Sequence, residues 1–173
     1  VGVYVRELLA AYARMAPEHQ YFLLHYTPTW TGPDFGPNFE PVSYRFGSAV
    51  TSIAFRLRRV LARLQPDVYH VTGATGCPPL PPVPVVTTVH DLYRYHPDAT
   101  TPWLRDMIFK CLFGWSLRHS RHFIADSAVT ATDMRRLLGI DPTRISVVHL
   151  APVPSPDAPP TPSVARPPYL LCL

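Results

Sequence analysis

Lysine, cysteine and long apolar runs are all scarce in this sequence. Lys110 is the only lysine, so the net charge of +4 comes almost entirely from arginine. Recognition of nucleic acid calls for basic residues interleaved with aromatic ones or for a known fold signature, and the chain has neither. We therefore interpret the charge as compositional bias and expect no nucleic-acid partner. No apolar run approaches the length of a membrane span.

The cysteines argue against two further classes of protein. Cys77, Cys111 and Cys172 are odd in number, far apart and without neighbours at metal-ligand spacing. Neither a disulfide framework nor a zinc site is therefore expected. A reducing compartment is the natural inference, and we predict a cytoplasmic protein.

Length and composition indicate one domain large enough to bury a core. The 173 residues are 47% hydrophobic and 16% charged, which is typical of a compact globular protein. We assign residues 1–150 to this domain, the proline-rich residues 151–168 to an interdomain linker, and the apolar residues 169–173 to the start of a truncated C-terminal domain. A strand is expected before Val1, because a glycine that opens a helix commonly follows a strand end.

Helical and strand patterns alternate along the domain. Helices are predicted directly after Gly2, over residues 48–64, from Pro102 onward and from Ser127 to Leu138. Strands are predicted at residues 21–26, 67–72, 85–89, 122–125 and 145–150, with a long loop between Thr27 and Gly47. The helix after Pro102 carries a stripe expected to face the core: Leu104, Met107, Ile108, Cys111, Leu112 and Trp115. This alternation predicts an α/β fold with a doubly wound, Rossmann-like parallel sheet.

The pair His90-Asp91 follows directly on the apolar, β-branched strand at residues 85–89. In an open α/β sheet, ligands collect beyond the carboxyl ends of the strands. An imidazole there can donate or accept hydrogen bonds near neutral pH, and a neighbouring carboxylate can fix its tautomer. The alternative interpretation is structural: His90 caps the strand and Asp91 opens a turn.

Several segments, in this order, resemble the N-terminal domain of the retaining glycosyltransferases of family 4, which have the two-domain GT-B fold. They are Val1–Leu8, Asp67–His70, Val86–Leu92, Phe123–Ser127 with Thr130, and Arg144–Val148. The likeness covers nearly the whole chain apart from residues 27–47. It implies the acceptor-side half of a GT-B enzyme without its first strand. In this family the C-terminal domain supplies a pair of glutamates and the basic residues that hold the nucleotide-sugar.

The resemblance also implies roles for single residues. His90 matches the family's active-site histidine, which contacts the donor sugar or the acceptor in the interdomain cleft. Gly2 belongs to the loop that approaches the donor diphosphate, unless it is a plain helix-start glycine. The acceptor side of the cleft is expected to include Asp91, in a supporting role, with Thr72, Gly73 and Ser127. For these last three, a strand-to-loop transition and an N-cap are the structural alternatives.

The implied reaction moves a sugar, with retention, from a nucleotide-sugar to the hydroxyl of a glycan, lipid or small-molecule acceptor. No metal or other cofactor is expected, and this half alone is expected to be inactive. One alternative is a nucleotide-dependent Rossmann enzyme of another class, which is disfavoured because no G-x-G-x-x-G follows a strand. The other alternative is a non-catalytic truncated fragment or binding module.

Peripheral contact with the inner face of the membrane is a subsidiary hypothesis. It is motivated by the arginines of one helix face and by a surplus of aromatic residues. The residues concerned are Arg56, Arg59 and Arg63, and Trp103, Phe109 and Phe113. A solvated basic face and a domain interface are the alternatives.

Overall fold

The computed structural model describes residues 2–96 and 100–151. The predicted linker beyond Ala151, the predicted start of a C-terminal domain at 169–173 and the strand expected before Val1 all lie outside the described residues.

The described strands are all parallel and form two sheets. The smaller sheet pairs β1 (Tyr21–His25) with β2 (Phe39–Ser43). The larger sheet has the order β3, β4, β5, β6, and its strands are Tyr69–Val71, Val85–Val89, Ser120–Ala125 and Ile145–Val147. Because parallel neighbours need crossover connections, helices separate most of these strands. The predicted α/β class with a parallel sheet is confirmed.

Helices connect and cover the sheets. They are α1 (Gly2–Met15), α2 (Ala49–Thr51), α3 (Arg58–Leu64), α4 (Trp103–His119) and α5 (Ala128–Leu138). A π-helical turn, Ser52–Leu57, joins α2 to α3, so that residues 49–64 form one helical run. Helix α5 has the ends that the sequence predicts: the Ser127 side chain accepts from Thr130 N, and Gly139 follows with a φ of 65°.

The core lies mainly on one face of the four-stranded sheet. Its largest cluster joins Val89 and Phe123 of the sheet to Phe113 of α4 and Met134 of α5. A second cluster joins the 49–64 run to α4 and includes Ile53, Leu57, Leu61 and Leu112. Helix α1 lies on the opposite face, because Tyr4 reaches Thr88, and successive strand residues point to opposite sides.

Two local predictions are wrong. The segment predicted as a long loop contains β2, an edge strand in which Pro41 is tolerated because it needs no ladder partner on its outer side. In α4, most of the stripe predicted to be buried is exposed: Leu104, Met107, Ile108 and Cys111 face outward, whereas Leu112 is buried. The helix is apolar on both sides, and the Phe113 side takes the core position.

Candidate functional site

His90 and Asp126 form a close pair where two neighbouring strands end. The register of β4 and β5 places Val89 beside Ala125, so the next residues along each strand are also neighbours. Nδ1 of His90 lies 3.1 Å from Oδ2 of Asp126, and the two side chains are only 20% and 14% exposed. An imidazole and a carboxylate are therefore paired at the carboxyl end of the sheet, where α/β proteins bind ligands.

The second ring nitrogen of His90 also faces an acceptor. Nε2 lies 3.2 Å from the backbone oxygen of Thr72, just beyond the end of β3. A neutral imidazole has a single N–H, whereas both of these partners, a carboxylate and a carbonyl, can only accept. Each ring nitrogen of His90 thus lies within hydrogen-bond distance of an oxygen atom. His90 thus joins the ends of β3, β4 and β5.

The first turn of α5 holds the backbone at this point. The Ser127 hydroxyl accepts from Thr130 N at 3.0 Å and caps the helix. Thr130 Oγ1 in turn donates to the His90 carbonyl at 3.1 Å. The N-terminus of α5 is therefore bonded to the backbone of His90 as well as lying beside its side-chain partner, Asp126.

A polar chain lies on the α1 side of the same strand ends. Thr88 Oγ1 is 3.2 Å from the Tyr4 hydroxyl and 2.8 Å from Nε2 of His70. Burial lowers the pKa of His70, which favours its neutral ring. The Tyr4 ring meets the His90 imidazole edge-on, with centroids 4.9 Å apart. This region of α1 therefore adjoins the His90 pair.

The structure brings some of the predicted site residues together and leaves others apart. Thr72 contacts His90 through its carbonyl, and Ser127 follows Asp126 as the N-cap of α5. Gly2 opens α1, and a Cβ added there or at Gly73 has no atom within 4 Å. Asp91 is exposed, and its Oδ1 accepts from Tyr93 N at 3.0 Å, which is the turn-opening role.

Sequence reasoning missed two residues of this arrangement, Asp126 and Tyr4. A signal for Asp126 was present: it follows its strand as His90 follows the neighbouring one, and parallel neighbours end side by side. Tyr4 had no such signal, because a tyrosine in the first turn of a helix is equally compatible with packing against the sheet.

Residues 2–96 and 100–151 contain no group of three His, Cys, Asp or Glu side chains arranged to hold a metal ion. Within the same ranges, no helix combines the length and hydropathy needed to cross a bilayer.

A parallel α/β domain with a His–Asp pair at the carboxyl end of its sheet has the architecture of a ligand-binding α/β domain. The family model Glycosyltransferase Family 4 matches residues 1–151. This chain belongs to glycosyltransferase family 4, and the alternative of a Rossmann enzyme from another class is set aside. No curated protein matches the chain.

Proposed function

We propose that this domain is the acceptor-side half of a retaining enzyme that moves a hexosyl group from a nucleotide-sugar to an acceptor hydroxyl in glycan biosynthesis. The observation that carries the proposal is the His90–Asp126 pair at the carboxyl end of the sheet, in a chain of this family. The acceptor is a glycan, a lipid or a small molecule. In the proposed enzyme the nucleotide is held by the C-terminal domain that the family resemblance implies.

His90 acts in this proposal through Nε2. The contact of Nδ1 with Asp126 is charge-assisted and therefore the stronger of the two, whereas the contact of Nε2 with the Thr72 carbonyl is longer and uncharged on the acceptor side. A sugar or phosphate oxygen of the donor can replace that carbonyl while Asp126 keeps the ring in place. An N–H at Nε2 then donates a hydrogen bond to that oxygen and stabilises the negative charge that develops on the departing diphosphate.

The remaining site residues have lesser roles in the proposal. Gly2 contributes a backbone N–H near the diphosphate, at the N-terminus of α1, where the helix dipole favours anions. Thr72, Gly73 and Ser127 border the acceptor, with Asp91 supporting the loop. The reaction is proposed to proceed without a tightly bound metal or other cofactor, as the family resemblance implies.

The test uses the full-length protein and a panel of nucleotide-sugars. Release of nucleoside diphosphate reports transfer, and ¹H NMR of the product reports the anomeric configuration. His90→Ala is expected to lower kcat by about 100-fold or more, while the fold is retained. The control is His122→Ala, because His122 lies on β5 and bonds to Ser146 Oγ at 2.8 Å, before the strand end.

Three results would count against this function. Inversion at the anomeric carbon excludes the retaining mechanism. An unchanged rate in His90→Ala makes His90 structural. The absence of transfer from every donor leaves the non-catalytic binding module as the function of the chain.

Peripheral contact with the inner face of the cytoplasmic membrane belongs to the same proposal, but on a different surface from that expected. Phe113 is fully buried and Phe109 packs against the core, so neither supports it. Trp103, by contrast, is 75% exposed. Together with three other exposed residues it forms the exposed α4 face, which we define as Trp103, Leu104, Met107 and Ile108.

Charge around this face favours an anionic lipid surface. The 49–64 run packs beside α4 and exposes Arg56, Arg59 and Arg63. The only acidic residue on these two helical segments is Asp106, and Lys110 pairs with it at 2.7 Å. Apolar side chains flanked by unopposed cations are the composition of a peripheral membrane surface.

Sedimentation with vesicles tests this contact. Binding is expected to vesicles containing phosphatidylglycerol and not to those of phosphatidylcholine alone, and to weaken about fivefold in Arg59→Gln. Trp103→Ser should abolish most of it. Val129→Ser is the matched control, since Val129 is equally exposed, at 72%, but lies on α5. Equal sedimentation of Trp103→Ser and wild type would refute the contact.

A further inference from the structure

The Tyr4 side chain makes two contacts that the proposed transfer reaction does not itself require. Its hydroxyl lies 3.2 Å from Thr88 Oγ1, and its ring meets the His90 imidazole at an interplanar angle of 81°. Edge-to-face contacts of this kind are favourable and restrict the orientation of both rings. The first turn of α1 is thereby attached to β4 at two points.

Thr88 is a rigid attachment point for the tyrosine. It is 1% exposed, and its Oγ1 also lies 2.8 Å from Nε2 of His70. A hydroxyl can donate one hydrogen bond while it accepts others. A neutral His70 ring can accept at Nε2, which allows Thr88 to donate to His70 and to accept from Tyr4. Both hydroxyl groups then have partners.

The other contacts of His90 explain why a ring packed beside it matters. The imidazole must keep one orientation for Nδ1 to face Asp126 while Nε2 faces the Thr72 carbonyl. Once a substrate displaces that carbonyl, Asp126 is the remaining hydrogen-bond partner of the ring. A packed neighbour that prevents rotation then becomes more important, because small displacements of a reacting group lower rates steeply.

We propose that Tyr4 is a positioning residue for His90, which joins α1, and with it the backbone at Gly2, to the His90–Asp126 pair. The role rests on the transfer function proposed above. Tyr4 fixes the imidazole by ring contact, and the Thr88 hydroxyl fixes Tyr4.

Two substitutions separate these contributions in the full-length protein. Tyr4→Phe keeps the ring and loses the hydroxyl, and is expected to lower kcat about fivefold. Tyr4→Ala loses both contacts, and a fall of about 100-fold is expected. The KM for the donor should change by less than about twofold in Tyr4→Phe, because the lost hydrogen bond to Thr88 affects the geometry of His90 and not ground-state binding of the donor.

A matched control and a double-mutant cycle test whether the Tyr4 hydroxyl acts through Thr88. Tyr12→Phe removes a hydroxyl from the same helix, where the ring stacks on Tyr21 at 5.5 Å, and should leave kcat unchanged. Thr88→Val removes the attachment point, so its effect and that of Tyr4→Phe should not add in the double variant. Full additivity would contradict the proposed route through Thr88.

The ring signals of His90 give a readout that does not depend on catalysis. In ¹⁵N-histidine-labelled full-length protein, they should shift in Tyr4→Phe and more in Tyr4→Ala, and stay in place in Tyr12→Phe. Unshifted signals in Tyr4→Ala would overturn the inference. If the wild type transfers no sugar, the proposed function fails, and the Tyr4→Phe spectrum, in which the aromatic ring is retained, decides whether the Tyr4 hydroxyl positions His90.

Discussion

The two sheets share parallel geometry but differ in how deeply they are buried. In β4 and β5, Val85, Val89, Phe123 and Ala125 are fully inaccessible to solvent. Every residue of β1, by contrast, is only half-buried. The smaller sheet is held instead by stacked aromatic rings, with Tyr21 and Phe39 centroids 4.5 Å apart.

This difference explains where the candidate site lies. Strands packed on buried neighbours open rarely, so side chains at their ends keep their geometry. His90 and Asp126 follow the two most buried strands. The smaller sheet, with its half-buried strand β1, is a less buried platform. Burial of β4 and β5 therefore fixes the geometry of the site, whereas the aromatic stack mainly stabilises the smaller sheet.

The largest expected effect is on stability, from matched truncations in the two sheets. Phe123→Ala should lower the free energy of unfolding by about 3–5 kcal/mol, because the ring is fully buried against α4 and α5. Phe39→Ala, in the stack of the smaller sheet, should lower it by about 2 kcal/mol. Urea denaturation of the two variants measures the difference. Equal losses would mean that the aromatic side chains of the two sheets contribute equally to the free energy of unfolding.

The next largest effect is on catalysis, and it concerns Asp126, the residue directly after β5. Asp126→Asn keeps the shape of the side chain and removes the charge that faces His90. We expect kcat to fall about 100-fold, equivalent to about 2.7 kcal/mol, with little change in stability. The control is Asp141→Asn, because Asp141 is exposed and caps only the short turn Pro142–Arg144. An equal fall in kcat in Asp141→Asn would mean that Asp126 has no specific role in catalysis.

Much of the larger sheet could be predicted from the sequence because its signals are local. The β-branched run of β4, the N-cap Ser127 and the glycine after α5 each specify structure within a few residues. The position of His90 at a strand end follows from the same reasoning. Local patterns of this kind survive in any tertiary context that buries the strand.

The features that were missed depend on distant contacts. Strand β2 contains Pro41 and lacks strict alternation, and it forms because β1 lies beside it. Helix α4 is apolar on two sides, so its sequence does not show that the Phe113 side is buried. The partner of His90 depends on the register between β4 and β5, which the sequence of neither strand specifies alone.

A smaller effect on stability concerns Ser127, which caps α5 and is also expected to border the acceptor. Ser127→Ala should lower the free energy of unfolding by about 1 kcal/mol, because Thr130 N loses its acceptor. Ser127→Asn restores a capping oxygen and should recover most of this loss. Thermal denaturation and kcat are measured together. A large loss of kcat that Asn does not rescue would favour the cleft role instead.

The smallest expected effect is a pH dependence that arises from His70, on β3 of the larger sheet. Burial lowers the pKa of His70 below the value of 6.5 that it has in the unfolded chain. Below that pH the unfolded state binds a proton at His70 that the folded state does not, so the contribution of His70 to the free energy of unfolding falls as pH falls and is constant above it. The slope from one such group cannot exceed about 1.4 kcal/mol per pH unit. Wild type should therefore lose more stability between pH 7.5 and pH 5.5 than His70→Asn, because all other side chains are common to the two proteins. Equal losses would mean that His70 is protonated within the folded sheet, and that Thr88 then accepts from His70 and donates to Tyr4.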